Sequence, residues 1–150
     1  MAESYFRLLG HPLSAHIERL SPEALARFLY DAPFALLSHT NAPDPVFSYA
    51  NRKTQELFGY SWEQFTRLPS RLSAEPASRA ERQRLLEQVT SRGYVAGYQG
   101  IRIASDGTRF RIENVVIWNV AQATGGCVGQ AAMFDRWTRL ESQPAQSREP

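Results

Sequence analysis

The chain opens on two short amphipathic stretches. Tyr5, Phe6, Leu8 and Leu9 form an apolar cluster closed by Gly10, the pattern of a brief helix. A second helix starts at Ser21, whose hydroxyl suits the cap. Pro22 fits the first helical position, and Glu23 favours the positive end of the helix dipole. Leu25, Phe28 and Leu29 then share one face, and Pro33 blocks extension. Such a stripe needs a partner, either this chain's own sheet or a second copy in a dimer.

From Phe34 the pattern becomes extended. Phe34 to Ser38 reads as a strand, residues 41–45 (Asn, Ala, Pro, Asp, Pro) as a turn, and Val46 to Ala50 as a second strand. Asn51 offers the cap of a helix holding Leu57 and Phe58, which Gly59 ends; Ser61 caps a further turn with Trp62 and Phe65. Residues 66–77 are irregular. Ser78 and Glu81 have capping-box spacing, and the helix behind them carries Leu85, Leu86 and Val89 on one face with Arg82, Arg84 and Glu87 near the other. Gly93 stops it. Three strands follow, Tyr94 to Ala104, Thr108 to Val120 and Cys127 to Trp137, separated by Asp106-Gly107 and Gly125-Gly126 turns. No internal repeat is visible.

This order predicts an α+β fold with a five-stranded antiparallel sheet and helices on one face. The expected division is an N-terminal helical segment (1–32), a sheet domain (33–139) and a polar, disordered tail (140–150).

Composition narrows the function classes. The chain has 150 residues, the size of one domain, and 43% hydrophobic content supports a real core. A formal charge of +2 without a basic, aromatic-rich stripe argues against a nucleic-acid partner. Lys53 is the only lysine; the remaining cations are Arg, whose planar fork suits carboxylate and phosphate, although codon bias gives the same composition. Cys127 is the only cysteine, so no intramolecular disulfide forms and a reducing compartment is expected. Neither a signal peptide nor a membrane span is visible, which points to the cytoplasm.

Several segments carry a family resemblance. DPVFSYANRKTQELFGYSWEQF (44–65) resembles the opening of a PAS domain, SDGTRF (105–110) its hairpin, and FDRW (134–137) its strand exit. A closer resemblance is to the MEKHLA family, a PAS-related group, carried by LSHTNAPDPVFSYAN (37–51), LPSRLSAEPASRAERQRLLEQV (68–89), YQGIRIASDGTRFRIENVVIWN (98–119) and GQAAMFDRW (129–137). These span about two thirds of the chain. The resemblance implies a PAS-like sensory or interaction domain. Plant members carry the domain beside a homeodomain and leucine zipper; this sequence shows neither.

In a PAS-like fold, one sheet face and the short helices enclose a pocket. Strict alternation, counted from Gly107 by analogy with PAS domains, puts Tyr98, Arg102, Phe110, Ile112, Asn114 and Trp118 inward. Val95, Ile101, Ile103, Val115 and Ile117 then face outward, edged by Arg109, Arg111 and Glu113, as a patch for Leu25, Phe28 and Leu29 to cover. An inward Arg102 needs a partner, either Glu75 or an anionic ligand. With Asn51 as cap and strand tether, and Arg71 matching, by the resemblance, an arginine that helps hold the flavin phosphate in light-sensing PAS domains, the expected ligand-binding set is Asn51, Arg71, Glu75, Tyr98, Arg102, Phe110, Ile112, Asn114 and Trp118.

No cofactor is identified. The resemblance places Ser70 where light-sensing flavin PAS domains carry a reactive cysteine, so no thiol adduct is expected, and Cys127 lies too far along the chain to substitute. His39 has two readings, a haem ligand or pH switch against a loop hydrogen bond. There is no metal-ligand spacing, phosphate loop or nucleophile motif, so no enzyme is expected. Two function classes remain: a small-molecule sensor, and a dimerising or partner-docking module with a filled core.

Overall fold

The computed structural model describes residues 1–141; the expected tail lies, from residue 142 on, outside the described residues. Two N-terminal helices, α1 (Ala2–Leu9) and α2 (Pro22–Asp31), precede strands β1 (Ala35–Thr40) and β2 (Phe47–Ala50). Helices α3 (Arg52–Phe58) and α4 (Trp62–Phe65) and two 3-10 turns (Ser70–Ser73, Pro76–Ser78) lead into α5 (Arg79–Arg92). Strands β3 (Tyr94–Ile103), β4 (Arg109–Ala121), β5 (Cys127–Phe134) and β6 (Arg136–Arg139) complete the fold.

The caps at Ser21 and Asn51 and the stop at Gly59 act as their chemistry predicts. Ser21 accepts from the Ala24 N–H at the start of α2, and Asn51 from the Thr54 N–H at the start of α3. Gly59 closes α3 in the left-handed conformation (φ 72°) that a side chain resists. The capping box forms at Ser61 and Gln64, not at Ser78 and Glu81. Ser78 ends a 3-10 turn with φ −98° and ψ −3°, whereas a side-chain cap requires extended backbone.

Every strand pairing is antiparallel, and the order is β2-β1-β5-β4-β3. The expected α+β sheet is therefore present with six strands, because the last one breaks at Asp135. Its two halves, β5 and β6, pair in succession with β4.

Two irregularities set which side chains meet. Gly97 (φ 71°) lies where β3 gains a residue relative to β4, and Asn114 (φ 52°) where β4 gains one relative to β3. Each is a bulge, and a one-residue insertion inverts the alternation for everything beyond it. Phe110 and Ile112 precede the Asn114 bulge and face α3 and α5, as expected. Beyond it Val115 and Ile117 join them, while Trp118 turns to the opposite face. Val95 also packs inward, beyond Gly97. The expected outer patch is thus corrected at three of its members, Val95, Val115 and Ile117.

The sheet has a core on each face. On one, Phe47, Phe58, Phe65, Phe110, Val115 and Phe134 pack with Leu85 and Val89 of α5. On the other, Tyr5, Leu13 and Leu29 cover Leu36, Trp118 and Ala131, with Leu25 and Phe28 at the margin. Tyr5 meets Trp118 edge-on, ring centroids 4.9 Å apart. The N-terminal helices therefore cover the sheet within one chain.

Candidate functional site

Between α5 and the sheet lies a cavity of about 60 Å³. Leu37, Phe47, Ile112, Val115 and Phe134 give it apolar walls, and Arg82, Arg102 and His39 are its ionisable members. Arg82 comes from α5, where positions 82, 85, 86 and 89 follow the i, i+3, i+4, i+7 spacing of one helical face. The expectation that Arg82 lies near the opposite face from Leu85 is corrected by that spacing. Arg102 comes from β3, in register with Phe110.

Both arginines are buried residues, Arg82 at 7% exposure and Arg102 at 8%. Arg82 donates to the Ser70 hydroxyl. Arg102 donates to its neighbour's carbonyl, Ile101 O (2.9 Å), and to the Tyr98 hydroxyl (3.4 Å), with its cation 5.7 Å from the Tyr98 ring centroid. Among the described residues, neither makes an ion pair with a carboxylate. Burial first, and then the charge of Arg102, push Arg82 down to about 10, so it stays a cation at neutral pH. Gly100 leaves room for this arrangement, since a Cβ there would strike the Tyr98 hydroxyl and come within 3.2 Å of Arg102.

The other polar groups of the cavity are spent within the protein. Gln130 Nε2 donates towards Leu86 O, Thr90 Oγ1 and Asn119 Oδ1, and the Ser73 hydroxyl donates to Ser70 O. His39 is the exception. Its Nδ1 meets Thr40 O at 2.8 Å, which makes it the donor, and its Nε2 is buried without a partner among the described residues. Burial lowers its pKa and nearby Arg82 adds to that, while the Thr40 bond opposes it. The bond made by His39 therefore runs to the next residue of its own strand and not to a loop.

The structure brings Arg102, Ile112, Tyr98 and Phe110 to this region; Arg102 and Ile112 line the cavity, with Tyr98 against Arg102 and Phe110 in the adjoining core. It does not bring the other five. Asn51 is fully buried but satisfied: Oδ1 accepts from Leu36 N and Thr54 N, and Nδ2 donates to Leu29 O and Phe34 O. Arg71 is exposed and pairs with Asp44 at 3.2 Å. Glu75 pairs with Arg109, not Arg102, because Arg109 faces the Glu75 loop while Arg102 points inward. Asn114 is exposed at its bulge, and Trp118 lies in the opposite core with Nε1 donating to Met1 O. Arg82 and His39 were absent from the expected set, although helical spacing alone locates Arg82.

A flavin or a haem does not fit this cavity. Sites for molecules of that size enclose about 300 Å³ or more, against about 60 Å³ here. The position implied for a reactive cysteine holds Ser70, which accepts from Arg82, and Cys127 is exposed on β5.

The family model described as the MEKHLA domain matches residues 1–139. The chain belongs to the MEKHLA family. No curated protein matches this MEKHLA chain. Among solved structures it is similar to a PAS domain from Colwellia psychrerythraea, with a TM-score of 0.65 and 17% identity over 79% of this chain and 95% of that one. It is also similar to an RNA-binding light-oxygen-voltage receptor, with a TM-score of 0.63 and 21% identity over 81% of this chain and 35% of the receptor. A light-oxygen-voltage domain studied with a flavin analogue gives a TM-score of 0.61 at 17% identity, over 78% of this chain and 84% of that one. These likenesses show a PAS-like fold. No helix among the described residues is long and apolar enough to cross a membrane.

Proposed function

We propose that this MEKHLA domain is a non-catalytic sensor that binds a small molecule between α5 and the sheet and reports occupancy to a partner protein. The observation that carries this reading is an interior cavity faced by two buried cations and an unpartnered imidazole nitrogen. A core built only for stability would fill that space with aliphatic side chains, since an uncompensated buried charge is costly.

Helix α5 is the natural reporter. It buries only Arg82, Leu85 and Val89, while Glu81, Gln83, Arg84, Glu87 and Gln88 stay in solvent. A ligand touching Arg82 and Arg102 together would clamp α5 to β3 and change how firmly that exposed face is held. Arg102 also borders a surface hollow with Ser78, Glu81, Tyr98 and Gly100, so its side chain is a wall between cavity and solvent and a route of entry. The lone cysteine suits a cytoplasmic setting.

A docking role without ligand is the second reading. It is favoured by an apolar groove that Leu25, Ala26, Tyr30, Tyr49 and the 37%-exposed Trp62 line on the α2 side. Native mass spectrometry of the full chain purified from its own host separates the two. The sensor reading expects a retained mass that is lost on denaturation. The bare chain, alone or as a dimer, supports docking instead.

A further inference from the structure

We propose that the cavity selects a short aliphatic monocarboxylate, its carboxylate held between Arg82 of α5 and Arg102 of β3; this rests on the ligand-binding reading above. Two like charges facing one cavity repel each other, and arginine does not shed its proton to relieve this. One anion between them offsets both, and guanidinium forks match a carboxylate in geometry.

The spent donors narrow the class. Gln130 and Ser73 already donate inside the protein and the Ser38 hydroxyl is paired with Ser48, so the guanidiniums are the charged donors that face a ligand. A tetrahedral phosphate or sulfate would place some of its oxygens against Leu37, Ile112, Val115 and Phe134, where nothing can bond them. A molecule with its charge at one end and carbon at the other meets both walls. At about 10–15 Å³ for each water-sized position, a cavity of about 60 Å³ takes about four to six non-hydrogen atoms, the span from acetate to butyrate.

The test uses the full chain at constant ionic strength. Thermal shift and calorimetric titration compare acetate, propionate and butyrate with acetamide, propionamide and butyramide. The carboxylates should raise Tm and bind about ten- to a hundredfold more tightly than their amides, the range of a charge-assisted hydrogen bond. Arg82→Met and Arg102→Met should each abolish the carboxylate shift. Their unliganded Tm should stay level or rise, because each relieves the repulsion; a purely structural arginine would lower it.

Amides binding as tightly as the acids would overturn the carboxylate assignment and leave the sensor reading standing. So would chloride or phosphate matching butyrate, which would mean a general anion site. If neither series binds, native mass spectrometry separates the failures. A retained molecule without a carboxylate sinks only the present inference, and the bare chain sinks the ligand reading with it.

Discussion

The two faces of the sheet are built by different rules. On the face under α1 and α2, apolar side chains fill the space and polar atoms find partners within the chain. Trp118 Nε1 donates to Met1 O, and the Ser4 hydroxyl accepts from Ala121 N. On the face under α5, a comparable aromatic core stops short of closing and leaves Arg82, Arg102 and His39 around a cavity. The first arrangement is what stability alone selects. The second keeps charges where a leucine or methionine would be less costly. The contrast supports the proposed binding role for the α5 face and a structural role for the other.

Removing the cover should produce the largest effect. A shortened chain beginning at Asp31 loses Tyr5, Leu13 and Leu29, each contributing about 1.5–3 kcal/mol of burial, and exposes Leu36, Trp118 and Ala131. Against a typical total stability of about 5–15 kcal/mol, this chain should aggregate or melt far below the full-length protein. Size-exclusion chromatography and a melting curve check it. A soluble monomer with unchanged Tm would show that the α1–α2 face is not structural support.

Asn51 tests the same face at a single residue. Its carboxamide joins the end of α2, strand β1 and the start of α3, all in the interior. Asn51→Ala leaves two buried N–H groups and two carbonyls short of a partner, at about 1–3 kcal/mol for each left unsatisfied. Relaxation recovers part of that, so a loss of about 3 kcal/mol is expected from denaturant unfolding. A change below about 0.5 kcal/mol, the level of an ordinary surface substitution, would contradict the hub.

How much of this was legible in the sequence depends on whether a signal is local. The caps at Ser21 and Asn51, the stop at Gly59 and the Asp106-Gly107 hairpin act through bonds within a few residues, and each appears where its chemistry placed it. So does the inward Arg102, which sits on the hairpin side of both bulges. Face assignment failed where it relied on unbroken alternation, because Gly97 and Asn114 each add a residue. A glycine or asparagine inside an otherwise β-rich run was the available warning. Glu75 and Arg109 are 34 positions apart, and no periodicity reports such a pairing. Arg82 shares the face of Leu85 and Val89 by helical spacing, so its inward position was legible in the sequence.

The bulge itself can be tested. Asn114 holds φ 52°, a conformation that asparagine tolerates and β-branched residues resist. Asn114→Val should cost about 1–2 kcal/mol, whereas Asn114→Gly should be close to neutral. If valine is accepted without loss, the bulge is not anchored at this residue. The placement of Val115 and Ile117 on the α5 face would then need another cause.

The smallest expected effect is a pH dependence from His39, the one titrating group among the cavity residues whose ordinary value lies near neutrality. Burial and the neighbouring Arg82 cation hold its pKa below 6.5 in the folded chain, and Arg102 lines the same cavity as a second cation. Above pH 6.5 the ring is neutral in both folded and unfolded chains, and its contribution to stability is complete. As pH falls below 6.5 the unfolded chain takes up a proton that the folded chain resists, so stability declines until the folded ring protonates as well. The expected result is a Tm that drops as pH falls through and below 6.5, less steeply in His39→Gln, with the difference between the two curves isolating this ring from the carboxylates. A short carboxylate in the cavity would offset the cations that oppose protonation and should flatten the same difference curve. Identical pH profiles for the two proteins would mean that the ring keeps solvent contact when folded, and that the α5 face is less closed than the other.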